Sequence, residues 1–189
     1  MLEAKNVSFS YGGEKIIDNF SCRFESGERV CLKGASGRGK TTLLRLLCAL
    51  EKPESGSVTL ESGKKVGVVF QEDVLLPWST ALENVAVVSN RKSAKESAEN
   101  LLCEFGLGES LEKYPEELSG GMCRRVALAR AVAFEPDVLI LDEAFKGLDE
   151  ELKADIMEKL KARFSKRLVI FTSHDENEIK RFATRVVEL

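Results

Sequence analysis

The chain has 189 residues and is short of the features that mark several protein classes. No apolar run approaches the roughly 18 residues that cross a bilayer, and the N-terminus, MLEAKNVSFSYGG, has no apolar signal core. Neither a membrane span nor secretion is therefore expected. Proline is scarce at 4 residues, and glycine, at 14, has no repeat, which excludes collagen-like and low-complexity chains. The five cysteines, Cys22, Cys31, Cys48, Cys103 and Cys123, are odd in number and form no CxxC pair. Neither a disulfide framework nor a zinc site follows, and they read as small buried hydrophobes in a reducing compartment. An excess of one charge is also missing. The 28 Lys and Arg face 31 Asp and Glu, for a net −3, which excludes a general basic nucleic-acid binder.

What is present is the mixture of one globular domain, 43% hydrophobic and 31% charged. Phe20, Cys22 and Phe24 alternate with Ser21, Arg23 and Glu25, as in a half-buried strand. Residues 28–33 form a strand ending at Gly34. Residues 42–50 are apolar nearly all round, as a buried helix should be, and Pro53 stops it. Short strands follow at 57–60 and 66–70.

The middle differs. Thr80–Glu83 and Ser93–Glu96 have the spacing of a capping box. Ala94, Ala98, Leu101, Leu102 and Phe105 then share one helical face. Residues 72–135 are expected to be helical, inserted between strand-bearing segments 1–71 and 136–189. In the last segment, 138–141, 168–171 and 185–189 read as strands. Leu152, Ile156, Leu160 and Phe164 mark the buried side of a helix. Short apolar strands alternating with helices imply an α/β fold with a mostly parallel sheet covered on both faces.

Three motifs carry chemistry. The first is Gly34-Ala35-Ser36-Gly37-Arg38-Gly39-Lys40-Thr41, followed by Thr42, between an apolar strand and a helix. This is the P-loop pattern. Its glycines let backbone N–H groups curl around a phosphate chain, and the helix N-terminus points partial positive charge at it. Lys40 is expected to reach the β- and γ-phosphates and Thr41 to hold Mg²⁺. The second is Val138-Leu-Ile-Leu-Asp142-Glu143, which delivers two carboxylates to a strand's C-terminal edge. Asp142 suits Mg²⁺, and Glu143 suits orienting or deprotonating an attacking water. The third is Leu118-Ser119-Gly120-Gly121-Met122, opening an Ala-rich helix. Ser119 is placed as an N-cap, and the two glycines leave amides uncovered. This is a second candidate anion site, although an ordinary capped helix has the same look.

Together these residues resemble the nucleotide-binding subunit of ABC transporters over almost the whole chain. GASGRGKT is similar to that family's Walker A, LSGGM to its signature motif and VLILDE to its Walker B. Gln71 stands where the family has its Q-loop glutamine, Gly147-Leu148-Asp149 where it has its D-loop, and His174 at its switch histidine. Tyr11 resembles the aromatic that stacks on adenine. Several of these have plain alternatives. A Gln after a strand is ordinarily a turn residue. A single His beside an apolar strand is ordinarily structural, Tyr11 fits turn packing, and Asp149 fits a helix cap, while Arg124, Arg125 and Arg130 read as a solvated helix face rather than a nucleic-acid patch.

The resemblance implies a P-loop NTPase fold: a RecA-like sheet, an N-terminal antiparallel β part and an inserted helical subdomain. It implies ATP and Mg²⁺ as cofactors, with Thr41, Gln71 and Asp142 at the metal and Glu143, His174 and Gln71 around the lytic water. It implies a head-to-tail dimer, in which Ser119, Gly120 and Gly121 of one copy contact the γ-phosphate held by Lys40 of the other, and Asp149 contacts across the dimer. The expected partners are a second copy, a membrane permease and, indirectly, a substrate-binding protein, with no nucleic acid. The place implied is cytoplasmic, peripheral on the inner face of the membrane.

Residues 70–85 are similar to importers for nitrate, taurine, alkanesulfonates and thiamine precursors. There Trp78, Leu75 and Leu76 suit either a permease-docking groove or the core of the helical insertion. Departures from the family pattern are Ala144 for proline, Met122 for the commoner Gln, and Lys146 before the D-loop. A chain stopping at Leu189 predicts no regulatory tail. A soluble ABC ATPase of DNA repair or translation is the first rival reading; tandem domains or a long coiled-coil insertion are missing, with 46 residues between Gln71 and Leu118. A non-hydrolysing regulatory module is the second, opposed by Glu143 and His174. The absence of Asn-Lys-x-Asp disfavours a GTPase.

Overall fold

The computed structural model describes residues 1–72, 74–89 and 93–189. In chain order the elements are β1 (Leu2–Tyr11), β2 (Glu14–Phe24), β3 (Arg29–Lys33), α1 (Lys40–Leu47), β4 (Ser55–Leu60), β5 (Val66–Val69), α2 (Ala81–Ala86), α3 (Ala94–Glu104), α4 (Gly120–Ala133), β6 (Val138–Asp142), α5 (Glu150–Arg163), β7 (Leu168–Thr172), α6 (Glu176–Phe182) and β8 (Arg185–Glu188). The strands form two sheets. One, in the order β5-β6-β7-β3-β8, is parallel at every pairing. The other, in the order β2-β1-β4, is antiparallel.

Strand periodicity explains how the parallel sheet is covered on both faces. In β6, Val138 and Ile140 join one apolar cluster while Leu139 and Leu141 join another. Leu168 and Ile170 of β7 divide from Val169 and Phe171 in the same way. Side chains alternate across a strand, so a continuous apolar run serves two cores at once. The first core lies between the two sheets and holds Leu43, Leu44, Leu46 and Leu47 of α1, all at most 2% exposed. Each such burial contributes roughly 1.5–3 kcal/mol. The second core packs α2, α3 and α4, which contact one another, and α5 and α6, on the other face. Cys31 belongs to this core, where burial pushes the thiol up to about 11.

Three expectations need correction. The helix read to Leu50 ends at Leu47; Cys48 caps it and Ala49 turns to φ +59°, well before Pro53. Leu50 is therefore solvent-exposed. Thr80 makes the full capping box with Glu83, but Ser93 makes no side-chain cap bond. Its φ/ψ of −92°/19° is not the extended conformation a cap side chain needs. Finally, no cysteine is in a disulfide, but only Cys31 is fully buried, and Cys103 is exposed.

One glycine is fixed by its surroundings. Gly56, the second residue of β4, has φ +79°, and a Cβ there would lie 2.2 Å from the Asn6 carbonyl oxygen of β1. Gly56→Ala is expected to destabilise the chain by about 2 kcal/mol or more, as forced backbone strain does, read as a lowered midpoint in urea unfolding.

Candidate active site

The candidate residues converge on the C-terminal ends of β3, β5, β6 and β7, the edge where open α/β sheets take ligands. After β3 the chain forms the glycine-rich loop and enters α1. Gly37 and Gly39 both have φ near +80°. A Cβ on Gly39 would come within 2.7 Å of Ile16 Cγ2, so the loop lies directly on β2. The N-cap of α1 is Gly39, which makes no side-chain cap bond, and the first turn contains no acidic residue. Its first amides thus remain available to an anion. Lys40 is 8% exposed, and its Nζ donates to the carbonyls of Gly34 (2.8 Å) and Ala35 (3.0 Å).

A threonine relay holds the first carboxylate. Thr41 Oγ1 donates to Asp142 Oδ2 at 2.7 Å, and Thr172 Oγ1 donates to Asp142 Oδ1 at 2.6 Å. Thr172 Oγ1 also accepts from the backbone N–H of Glu143 at 2.9 Å. Asp142 is 2% exposed, and each of its oxygens accepts from one hydroxyl and keeps a lone pair. Among the described residues, no group of three or more His, Cys, Asp and Glu could hold a metal. The available donors are all oxygens: a hydroxyl, a carboxylate and the amide of Gln71. That set suits Mg²⁺, which takes one or two protein ligands and completes its shell with phosphate and water.

The second carboxylate stands between a histidine and a lysine. Glu143 adopts φ +47°, the left-handed region, at the turn out of β6. Its Oε1 lies 3.4 Å from His174 Nε2, and its Oε2 accepts from Lys146 Nζ at 3.1 Å. A cleft of about 490 Å³ is lined by Ser36, Gly37, Gly39, Lys40, Thr41, Thr42, Gln71, Asp142, Glu143 and His174, together with Ile16 and Lys146. Gly34 and Ala35 line an adjoining hollow with His174.

Several expected residues do not line this cleft. Arg38 is not among its walls. Tyr11 sits at the end of β1, 45% exposed, edge-on to Phe9 and with its hydroxyl 3.4 Å from Glu51. Asp149 is the N-cap of α5, accepting from Leu152 N–H at 2.9 Å, as its plain reading held. Ser119 caps α4 and accepts from Met122 N–H at 3.4 Å, while Gly120 has no atom within 4 Å of the place a Cβ would take. The LSGG segment is thus unobstructed at Gly120, covered at Gly121 by the Gly147 carbonyl, and not part of the cleft.

Sequence reasoning took Arg124, Arg125 and Arg130 for a solvated helix face, and the structure overturns this. Arg124, 8% exposed, donates to the carbonyls of Phe70 (2.8 Å) and Gln71 (2.5 Å). Arg125 donates to Phe105 and Gly106, and Arg130 to Val74. Two more site contributors were missed, Thr172 as the hub of the relay and Lys146 as the partner of Glu143. Their only signals were spacing, two residues before His174 and three after Glu143. The alternative that Trp78 belongs to the core also fails, since it is 73% exposed, whereas Leu75 packs against the core.

With this geometry established, comparison with known proteins is decisive. A family model described as ABC transporter matches residues 17–146. The chain belongs to the ABC transporter family. Its ABC relatives include the aliphatic sulfonates import ATP-binding protein SsuB 2 of Mesorhizobium japonicum, 42% identical over 100% of this chain and 77% of the relative. They also include the sulfate/thiosulfate import ATP-binding protein CysA of Rhodopseudomonas palustris, 39% identical over 98% of this chain. The chain spans 59% of the length of that CysA. Among solved ABC structures, a dimeric post-hydrolysis state of the ATP-binding cassette MJ0796 bound to ADP and Pi superposes with a TM-score of 0.89 at 30% identity, covering 100% of this chain and 94% of that one. Among the described residues, no helix is long and apolar enough to cross a membrane.

Proposed function

We propose that this chain is the ATP-hydrolysing subunit of an importer for a small solute, working on the cytoplasmic face of the membrane as a head-to-tail pair. One observation carries this reading. The chain has two amide-rich helix ends suited to phosphate, at Gly39 and at Ser119, and only the first lines the cleft. A second copy turned end for end supplies the missing half, and the solved relative is a dimer bound to ADP and Pi.

In this reading the loop amides and Lys40 hold the β- and γ-phosphates, and Tyr11 stacks on the adenine. Thr41, Asp142 and Gln71 would hold Mg²⁺, which neutralises phosphate charge when bound. Glu143 accepts a proton from the attacking water while His174 faces the same carboxylate. Ser119, Gly120, Gly121 and Asp149 close the site from the partner subunit. Residues 72–135 act as the helical unit that meets the permease, with Trp78 and Val74 as exposed apolar contacts. Relatives named for sulfate and sulfonate import support an import direction and a membrane permease with a substrate-binding protein. Loss of the γ-phosphate then removes the bridge between copies, so hydrolysis reopens the pair.

Size measurement tests this. The Glu143→Gln chain with ATP and Mg²⁺ is expected to double in mass by light scattering. Lys40→Ala is expected to lose at least about tenfold in ATP affinity, the scale of one charge-assisted contact, and to stay monomeric. A Lys40→Ala chain with undiminished affinity, or a Glu143→Gln chain that stays single when saturated with ATP, contradicts the reading.

A further inference from the structure

We propose that Lys146 is a positioning residue for ATP hydrolysis, holding the Glu143 carboxylate from the side opposite His174. The inference rests on the reading of Glu143 as the group that activates water. His174 Nε2 lies 3.4 Å from Oε1 and Lys146 Nζ 3.1 Å from Oε2, so each carboxylate oxygen has its own nitrogen neighbour. A glutamate side chain free to rotate would present its lone pairs to water in many directions, and a reacting group held in one orientation gains rate for that reason.

The lysine is itself well placed to act as a brace. Residue 146 sits in a turn closed by Lys146 N–H to Glu143 C=O (3.1 Å) and Leu148 N–H to Phe145 C=O (3.4 Å). Phe145, 1% exposed, packs edge-on against Phe182, and Leu148 is 8% exposed, so buried side chains flank position 146 on both sides. The stem of Lys146 therefore starts from a fixed backbone. Its side chain is 68% exposed, whereas that of Glu143 is 17% exposed, so the lysine reaches inward from the surface to a partly buried partner. An ammonium has three donors; with one on Oε2, the contact leaves lone pairs on the same carboxylate for water.

The test is steady-state phosphate release by the full chain carrying Lys146→Ala, Lys146→Met or Lys146→Arg, with ATP affinity measured alongside. Lys146→Ala and Lys146→Met are expected to lower kcat about fivefold, the scale of one partly exposed ion pair, with KM and ATP affinity unchanged. Lys146→Arg is expected to recover most of the loss, because a guanidinium spans the same gap. In a Glu143→Gln background, Lys146→Ala is expected to add no further loss. Unchanged or faster turnover in Lys146→Ala would overturn the proposal, since the lysine would then be a bystander or a brake. Equal losses in affinity and kcat would also overturn it, because the lysine would then grip phosphate and not the base. Wild-type turnover in Glu143→Gln alone would instead remove the reading of Glu143 on which the inference stands.

Discussion

Glu143→Gln is expected to bind ATP as tightly as the wild type and to turn it over about 100-fold more slowly or worse, the loss that follows removal of a general base. The substitution keeps the length and planarity of the side chain. It removes the capacity to take up a proton and the negative charge that faces His174 and Lys146. The phosphate grip is left alone, since the amides of the loop, Lys40 and the Thr41–Asp142 pair are contributed by other residues. Affinity and rate should therefore separate cleanly, which is the signature of a group acting in the transition state only. Phosphate release under saturating ATP, paired with titration calorimetry, reads the two. Normal release by this variant would exclude Glu143 from the chemistry. A parallel fall in affinity would assign it to binding.

Lys153→Met is expected to lower unfolding stability by about 3 kcal/mol, the lower end of what breaking one side of a buried ion pair costs. Lys153 is 8% exposed and lies on α5, pointing toward α6. Its Nζ is 2.9 Å from Glu178 Oε1 and 2.8 Å from Glu150 Oε1. Glu178 is also 8% exposed, and its other oxygen accepts from Ser173 Oγ at 2.5 Å. Removing the ammonium leaves Glu178 buried with a hydroxyl for company. Burial alone would draw the lysine's pKa down, but the bonds to Glu150 and Glu178 outweigh it and hold the group above its ordinary range. The folded chain thus binds this proton more tightly than the unfolded one. The contribution is complete below about pH 10.4, the unfolded value, and fades only as alkaline pH rises through the folded value. The deficit of Lys153→Met in urea unfolding should hence stay constant from roughly pH 6 to 9. Replacing Glu178 by Leu in the same chain should recover much of the loss, since the uncompensated charge goes with it. A single Lys153→Met variant as stable as wild type would show that the pair carries no net stability.

Much of this was legible in the sequence because the deciding signals are local. The run Val138–Leu141 reads as a short, fully apolar strand, and the structure divides its side chains between two cores. The glycine-rich loop between strand and helix requires left-handed backbone at Gly37 and Gly39, which glycine accepts without strain. What failed depended on distant atoms or on conformations that composition does not encode. Thr80 and Ser93 share one spacing, yet only Thr80 has the extended backbone that turns its hydroxyl onto the helix. Helix α1 looked longer because Ala49 and Leu50 continue its apolar run, but the chain reverses at Ala49 to start toward β4. The arginines of α4 looked solvated because charge is usually exposed. Their acceptors are backbone carbonyls as many as 56 residues away, which no local pattern announces. The LSGG end reads from its residues alone as an ordinary capped helix, and Ser119 does cap α4; the cleft of a single chain does not include it.

The clamp that Arg124 places on Phe70 and Gln71 has a mechanical consequence. A buried guanidinium spanning two successive carbonyls behaves as a rivet between the LSGG helix and the strand end that carries Gln71 toward the cleft. Helix α4 cannot swivel without dragging the backbone of Gln71, nor can Gln71 retreat without pulling on the helix whose tip is Ser119. The backbone that presents Gln71 and the helix that begins at Ser119 are thus pinned to each other by a single side chain.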